Sequence, residues 1–144
     1  MKKGFTLIEL LIVIAVISIL IGIALPRFRG MQEEGWTAQA KGELRTLQTA
    51  AESHYIHNSA YPSTFPDDLE DATPQIIGDT APTDPFDSGE DYGFATSPDG
   101  NYYVIFSKGS GGTATVTGID NNGDITGSAG DDIYVSNGSV GTSW

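Results

Sequence analysis

The chain opens with a long apolar segment. Between Leu10 and Pro26 no residue is charged, and Ser18 is the only polar side chain. With residues 5–8 the segment holds about 21 residues, which an α-helix extends over about 31 Å, enough to cross the hydrocarbon core of a bilayer once. The pattern predicts a membrane-spanning helix at the amino terminus.

A weaker apolar pattern carries the helix beyond Pro26. Four apolar positions have the i, i+3, i+7, i+11 spacing of an amphipathic helix; they are Leu44, Leu47, Ala51 and Tyr55. Gly22 and Pro26 are expected to loosen the helix locally, because proline removes a backbone hydrogen bond. Asn58 and Pro62 are stop signals. We therefore expect one helix from residue 5 to about residue 58.

The period changes to that of strands after a proline-rich stretch, in which only a short helix around 67–72 fits. Strand formers fill 92–96 and 102–106 on either side of Asp99-Gly100, a hairpin turn signal. Segments 113–119 and 125–126 flank a second turn at Asn121-Asn122-Gly123, and 133–135 is a last strand. This predicts an α+β fold, a long helix on a small antiparallel sheet. The expected sheet core is Tyr92, Phe94, Tyr102, Val104 and Phe106.

One carboxylate, Glu9, interrupts the apolar segment. A charge costs about 2.5–3.5 kcal/mol near the centre of a bilayer and less toward its edge. An ordinary signal peptide is disfavoured, because the apolar run exceeds the usual length and no small-residue cleavage site precedes Arg27. A plain membrane anchor explains the length but not Glu9. We expect a group outside the single chain to compensate this charge.

The segment from Lys2 to Leu10 resembles the class III signal of type IV prepilins and pseudopilins, with a glycine, an aromatic residue and a glutamate at the fifth position after the glycine. The resemblance covers residues 1 to about 62. It implies that a prepilin peptidase cuts after Gly4 and that the new terminus, Phe5, is N-methylated. It also implies assembly roles for Glu9 and Pro26. In filaments of that family the matching carboxylate lies beside the amino terminus of a neighbouring subunit, where a buried ion pair can set the register.

The same resemblance implies how the chain is organised and where it acts. Residues 1–4 are the leader, 5–27 the transmembrane and polymerisation half of the helix, 28–58 its amphipathic half, and 59–144 a head domain of loops and sheet. The expected partners are the prepilin peptidase, an inner-membrane assembly platform and other copies of the chain in a homopolymeric filament. The precursor is expected to be a single-pass inner-membrane protein and the filament periplasmic or extracellular.

Charge is distributed unevenly along the chain. Residues 1–53 hold six basic and five acidic side chains, whereas residues 54–144 hold one lysine and fourteen acidic side chains, a balance of −13. Such a head domain repels nucleic-acid backbones, so direct nucleic-acid binding is not expected. There is no cysteine, which removes disulfides as a source of stability.

No arrangement of residues indicates catalysis, and we expect the protein not to be an enzyme. His54 and His57 lie three residues apart, but nothing else supports a metal role for them. The candidate metal ligands are instead four aspartates in the carboxyl-terminal loops, which offer the hard oxygen atoms that calcium prefers: Asp120, Asp124, Asp131 and Asp132. Asp-Asn-Gly clusters of this kind are also ordinary turns.

The carboxyl-terminal half resembles the major pseudopilin of type II secretion, through Thr83–Phe86, Tyr102–Gly109, Asp131–Ile133 and Trp144. Those proteins lack a disulfide and hold calcium in the carboxyl-terminal loop. This chain has Gly111 where that family has its first aspartate ligand, and it has an insertion that contains Asp120 and Asp124. We therefore expect a pseudopilus subunit. The alternatives are a type IV pilus subunit for adhesion or motility and, in another class, a membrane-tethered binding module.

Overall fold

The structure, a computed structural model, describes residues 4–72, 77, 78, 80–127, 130–139 and 141–144. Its first helix, α1, runs from Leu7 to Asn58 and includes Pro26, as the sequence predicts. By its contacts the chain divides into two compact units, one that ends at Gly35 and one that runs from Trp36 to Trp144. The carboxyl-terminal part of α1 therefore belongs to the second unit.

The described residues of the second unit form a short helix and five strands. Helix α2 spans Asp67–Glu70. The strands are β1 (Gly93–Thr96), β2 (Tyr103–Ser107), β3 (Val116–Ile119), β4 (Ile125–Gly127) and β5 (Ile133–Ser136). Strands β1, β2 and β5 form one antiparallel sheet with β2 in the centre, whereas β3 and β4 form a separate two-stranded hairpin. The α+β fold is confirmed, but it has two sheets rather than one.

The turns form where the sequence signals place them. Between β1 and β2, Gly100 has φ +72°, a left-handed conformation that glycine adopts at little cost. Between β3 and β4, the Asp120 carboxylate accepts hydrogen bonds from the backbone N–H groups of Asn122 (2.8 Å) and Asp124 (2.9 Å). A short polar side chain thus satisfies the donors of its own turn.

Helix α1 and the three-stranded sheet enclose the main core. Its centre consists of fully buried apolar side chains, among them Leu44, Leu47, Tyr103, Ile105 and Val135. The predicted helical stripe is confirmed for Leu44, Leu47 and Ala51, whereas Tyr55 is 40% exposed. Its ring instead stacks on Tyr61, with centroids 4.6 Å apart.

The predicted sheet core is only partly right. Tyr92 and Val104 are buried, but they belong to different clusters, and Phe94, Tyr102 and Phe106 are half-buried. The second cluster contains Val104, Val116, Ile119 and Tyr134 and includes β3 side chains. Because the β3–β4 hairpin supplies this second layer, β2 is buried on both faces, and an alternating pattern cannot identify one core face.

Two tyrosines tie the sheet to α1 through polar contacts. Tyr92 Oη donates to Glu43 Oε2 (2.6 Å), and Tyr103 Oη donates to Glu52 Oε1 (2.9 Å). Burial first, and then the neighbouring carboxylates, raise the pKa of both phenols. Both tyrosines therefore remain neutral donors at any ordinary pH, and a hydrogen bond to a charged acceptor is stronger than a neutral one.

Candidate assembly segment and metal-ligand candidates

Glu9 has a partner within its own chain. Thr6 N–H and Thr6 Oγ1–H both donate to Glu9 Oε2, at 2.8 and 2.7 Å, and Glu9 N–H donates back to Thr6 Oγ1 at 3.3 Å. This reciprocal arrangement is a capping box, which satisfies backbone donors at the start of a helix. It explains why α1 begins at Leu7.

The capping box changes the expectation for Glu9. Part of the compensation for its charge lies inside the chain, not only outside it. The signal was present in the sequence, because Thr6-Leu7-Ile8-Glu9 has the S/T-x-x-E spacing of a capping box. Within the described chain both hydrogen bonds from Thr6 to the Glu9 carboxylate end on Oε2. The other carboxylate oxygen, Oε1, is therefore the one left for another partner.

The residues at the expected cleavage point are open to solvent. Gly4 is exposed and Phe5 is 81% exposed. A Cβ atom built on Gly4 would meet nothing within 4 Å. The packing of the subunit therefore does not dictate glycine at this position, and any requirement for it comes from another molecule. Residues 1–3 of the predicted leader lie outside the described residues.

The first unit presents an uncovered apolar surface. Every described residue from Gly4 to Gly35 is exposed, including large apolar side chains such as Ile12 (58%) and Leu20 (60%). The most apolar window of α1 has a mean hydropathy of 3.0, and none of it is buried. The helix is long and apolar enough to cross a membrane, and this surface requires lipid or protein to cover it.

Asp131 and Asp132 lie against the loop that precedes β3. The Asp132 side chain is 4% exposed, and its Oδ2 accepts from the backbone N–H groups of Thr115 and Val116, both at 2.7 Å, and from Thr115 Oγ1 at 3.0 Å. Asp131 Oδ2 accepts from Gly111 N–H. Among the described residues the buried Oδ1 atom of Asp132 has no hydrogen-bond partner, which is costly for a carboxylate unless a proton or a cation satisfies it.

Asp120 and Asp124 have a different environment in the β3–β4 turn. Asp120 closes that turn, and Asp124 Oδ1 accepts from Ser139 Oγ at 2.5 Å. Among the residues that the structure describes, no three acidic or histidine side chains form a group that could hold a metal ion. The four candidate ligands therefore do not form one site. Asp131 and Asp132 bind the loop before β3, whereas Asp120 and Asp124 bind the β3–β4 turn and Ser139.

The two histidines are held by backbone carbonyl groups. His54 Nδ1 lies 2.9 Å from the Ala60 oxygen, and His57 Nδ1 lies 2.8 Å from the Ser53 oxygen. Each ring thus forms a local hydrogen bond at the carboxyl end of α1. Among the described residues, no third metal-ligating side chain lies close enough to form a metal site with the two histidines.

A long amino-terminal helix with an uncovered apolar half, followed by a helix-backed antiparallel sheet, defines a pilin-like protein. The family of the prokaryotic N-terminal methylation motif matches residues 1–25. This agrees with the resemblance to prepilins predicted from Gly4, Phe5 and Glu9, and that resemblance is confirmed.

Relatives of two kinds match the chain over different lengths. It is 27% identical over 130 residues to type II secretion system core protein G of Pseudomonas aeruginosa, which covers 90% of this chain and 91% of the relative. Core protein G of Aeromonas hydrophila is 26% identical over 136 residues, 94% and 92% of the two chains. The type IV major pilin PilA of Myxococcus xanthus is 43% identical over 60 residues, only 42% and 27% of the two chains. No solved structure matches the chain.

Proposed function

We propose that this protein is the subunit of a type IV-like filament, the pseudopilus of a type II secretion system. The observation that carries the proposal is the similarity to core protein G over 90% of the chain, together with a methylation motif on a helix whose apolar half is uncovered. The similarity to the pilin PilA is confined to 60 residues. The relatives are named as a secretion-system core protein and a major pilin, and we propose no catalytic function.

In this proposal the apolar half of α1 has two successive environments. As a precursor it spans the inner membrane, where lipid covers the apolar side chains. After a prepilin peptidase has cut behind Gly4 and Phe5 has been N-methylated, an assembly platform transfers the helix into a bundle of identical helices. Pro26 lies inside this helix, and we propose that it takes part in the packing.

We propose that Glu9 sets the register of this bundle. Thr6 N–H and Thr6 Oγ1 lie on the carboxyl side of the cleavage point, so the capping box persists in the mature chain. Glu9 Oε1 is then available to the amine of a neighbouring subunit. A buried charge is tolerable when it has a partner. If the ion pair can form in only one alignment of the helices, the other alignments leave the charge unpaired and are excluded.

The proposal is tested on sheared, purified filaments by mass spectrometry of their amino terminus. We expect a chain that begins at methylated Phe5. The variant Gly4→Leu should remain as an unprocessed precursor, whereas the control Gly35→Leu should be processed. Neither substitution crowds the fold, because a Cβ atom at either glycine meets nothing within 4 Å. A filament of unprocessed chains would refute the proposal. Short fibres formed on overproduction identify a pseudopilus, and long, abundant surface fibres identify a pilus.

We further propose that a calcium ion binds at Asp132, with Asp131 as a neighbouring ligand. The support is the buried Oδ1 atom of Asp132, which has no hydrogen-bond partner in the part of the chain that the structure describes, and the hard oxygen chemistry of the two carboxylates. Calcium would supply the positive charge that this oxygen lacks. Asp120 and Asp124 bind their own turn and Ser139, so Asp132 and Asp131 are the better candidates.

The calcium proposal predicts that a chelator weakens the native state. A ligand at 100 times its dissociation constant stabilises the native state by about 2.7 kcal/mol. EGTA should therefore lower the melting temperature of the full chain, and excess calcium should restore it. The Asp120→Asn variant should keep this response and Asp132→Asn should lose it. An identical melting curve with and without EGTA would contradict the site.

A further inference from the structure

The second unit carries a small basic surface on a strongly acidic background. Residues 36–144 hold three basic and sixteen acidic side chains. One of the three, Lys108, forms an ion pair with Asp87. The other two, Lys41 and Arg45, lie one helical turn apart on α1 and have no ion-pair partner in the part of the chain that the structure describes. We call Lys41, Arg45 and Trp144 the basic patch.

The basic patch is held in place by an aromatic ring. Lys41 Nζ lies 5.7 Å and Arg45 Cζ 5.6 Å from the centre of the Trp144 ring. Trp144 is itself half-buried against the main core. Both distances are within the range of a cation–π interaction. Because the ring restricts the two long side chains, less conformational entropy remains to be lost when they bind an anion.

Helix α2 carries acidic groups of matching spacing. The Asp71 N–H donates to the Asp67 oxygen at 2.9 Å, so these two residues also lie one helical turn apart, and both are exposed. Side chains one turn apart on a helix are about 5–6 Å from each other at Cβ. Two cations and two carboxylates at the same spacing can therefore form two ion pairs at once.

The acidic pair of the same subunit is too far away to reach the patch. Phe65, which precedes α2, stacks on Phe94 of β1 with ring centroids 4.7 Å apart, whereas the Ser143 N–H next to Trp144 donates to the Tyr134 oxygen of β5 at 3.1 Å. Strands β1 and β5 are the two edges of the sheet, so α2 and the patch lie at opposite edges. Neither Lys41 nor Arg45 forms an ion pair with Asp67 or Asp71 of its own chain. The pairing therefore requires a second chain.

We propose that the basic patch of one subunit binds Asp67 and Asp71 of a second copy of this chain. This inference rests on the proposed filament, in which copies that share a bundle of α1 helices stand side by side. Charge complementarity favours an acidic head as the partner of the basic patch. The head of a neighbouring copy is present at high local concentration once the amino-terminal helices associate.

Charge reversal in the full-length chain tests the pairing. We expect Lys41→Glu/Arg45→Glu to lower the yield of sheared filaments about tenfold, and Lys41→Glu/Arg45→Glu combined with Asp67→Lys/Asp71→Lys to restore it. Thr117→Glu, on the exposed hairpin, adds negative charge away from the patch and should leave the yield unchanged. Restoration by Glu90→Lys/Asp91→Lys instead would show that the acceptor is a different acidic loop and would overturn the assignment.

Cross-linking gives an independent readout, because the native chain has no cysteine. Arg45→Cys/Asp71→Cys filaments should form a ladder of disulfide-linked multimers on oxidation, whereas Thr117→Cys/Asp71→Cys filaments should not. Normal wild-type filaments with no ladder and no effect of charge reversal would overturn this inference alone. Absence of filaments from the wild-type chain would instead refute the proposed function. The alternative partner is lipid. If filaments give no ladder but bind anionic vesicles, and Lys41→Gln/Arg45→Gln abolishes that binding, the basic patch binds lipid and the pairing is overturned.

Discussion

Removing the hydroxyl group of Thr6 tests whether the capping box makes Glu9 tolerable in a membrane. Thr6→Val keeps the shape of the side chain and deletes Oγ1. Glu9 Oε2 then loses its 2.7 Å hydrogen bond, and the Glu9 N–H loses its 3.3 Å acceptor, while the Thr6 N–H bond to Oε2 remains. Thr6→Ser, which keeps a hydroxyl group, is the matched control.

The magnitude follows from the two lost contacts. Replacing a helix-capping hydroxyl group costs about 0.5–2 kcal/mol, and a hydrogen bond to a charged group contributes about 1.5–3 kcal/mol. The two estimates describe overlapping contacts, so we expect a total of about 2 kcal/mol, or about a 30-fold change in the insertion equilibrium. In a Glu9→Val background the N–H of residue 9 still loses its acceptor, but there is no carboxylate to expose, so the loss of insertion should be clearly smaller.

The assay is cell-free synthesis of the full-length chain in the presence of lipid vesicles, with integration scored by carbonate resistance. We expect Thr6→Val to reduce integration in the Glu9 background and to have a clearly smaller effect in the Glu9→Val background, with Thr6→Ser close to wild type in both. An equal loss in both backgrounds would show that Thr6 acts without Glu9 and would refute the reasoning.

Three further predictions concern assembly and stability. Glu9→Val should leave membrane insertion intact or improve it but reduce filament yield, and normal filaments from this variant would exclude a role in register. Tyr103→Phe leaves Glu52 Oε1 without its donor and should lower the unfolding free energy by about 1–2 kcal/mol, as measured by denaturant titration, whereas Tyr55→Phe, on a ring that is 40% exposed, should have a smaller effect. The N–H of Thr64 and further bonds from Ser63 lower the pKa of Asp68 from 3.8, so its contribution to stability is present above pH 3.8 and lost as the pH falls below it. Asp68→Asn should remove that part of the acid-induced loss, and an unchanged pH profile would contradict it.

The order of elements could be predicted because each has a strong local signal. The apolar run and the i, i+3, i+7 stripe predict α1, and its end at Asn58 coincides with the stop signals. Asp99-Gly100 and Asn121-Asn122-Gly123 mark the two hairpin turns that the structure contains. These signals depend on residues close together in sequence, where turn and helix chemistry act directly.

The burial of individual strand residues could not be predicted, because it depends on distant elements. Strand β2 is apolar along most of its length, and Val104 and Ile105, adjacent in sequence, are both fully buried but in different clusters. Only the packing of β3 against the outer face separates them. Gly93 shows the same dependence, since a Cβ atom there would lie 2.3 Å from the Phe106 ring, a crowding that arises from strand pairing.

The aspartates and Glu9 show why residue type alone does not define a site. Asp120, Asp124, Asp131 and Asp132 have the same chemistry in the sequence, but the loops that they bind separate them. Of these four, Asp132 alone keeps a buried oxygen without a hydrogen-bond partner among the described residues. Glu9, by contrast, has a partner within the chain, because the hydroxyl group of Thr6 donates to its Oε2. One carboxylate oxygen is satisfied by the chain itself in both residues. We propose that the function of each depends on what occupies its second oxygen, a cation for Asp132 and a neighbouring amine for Glu9.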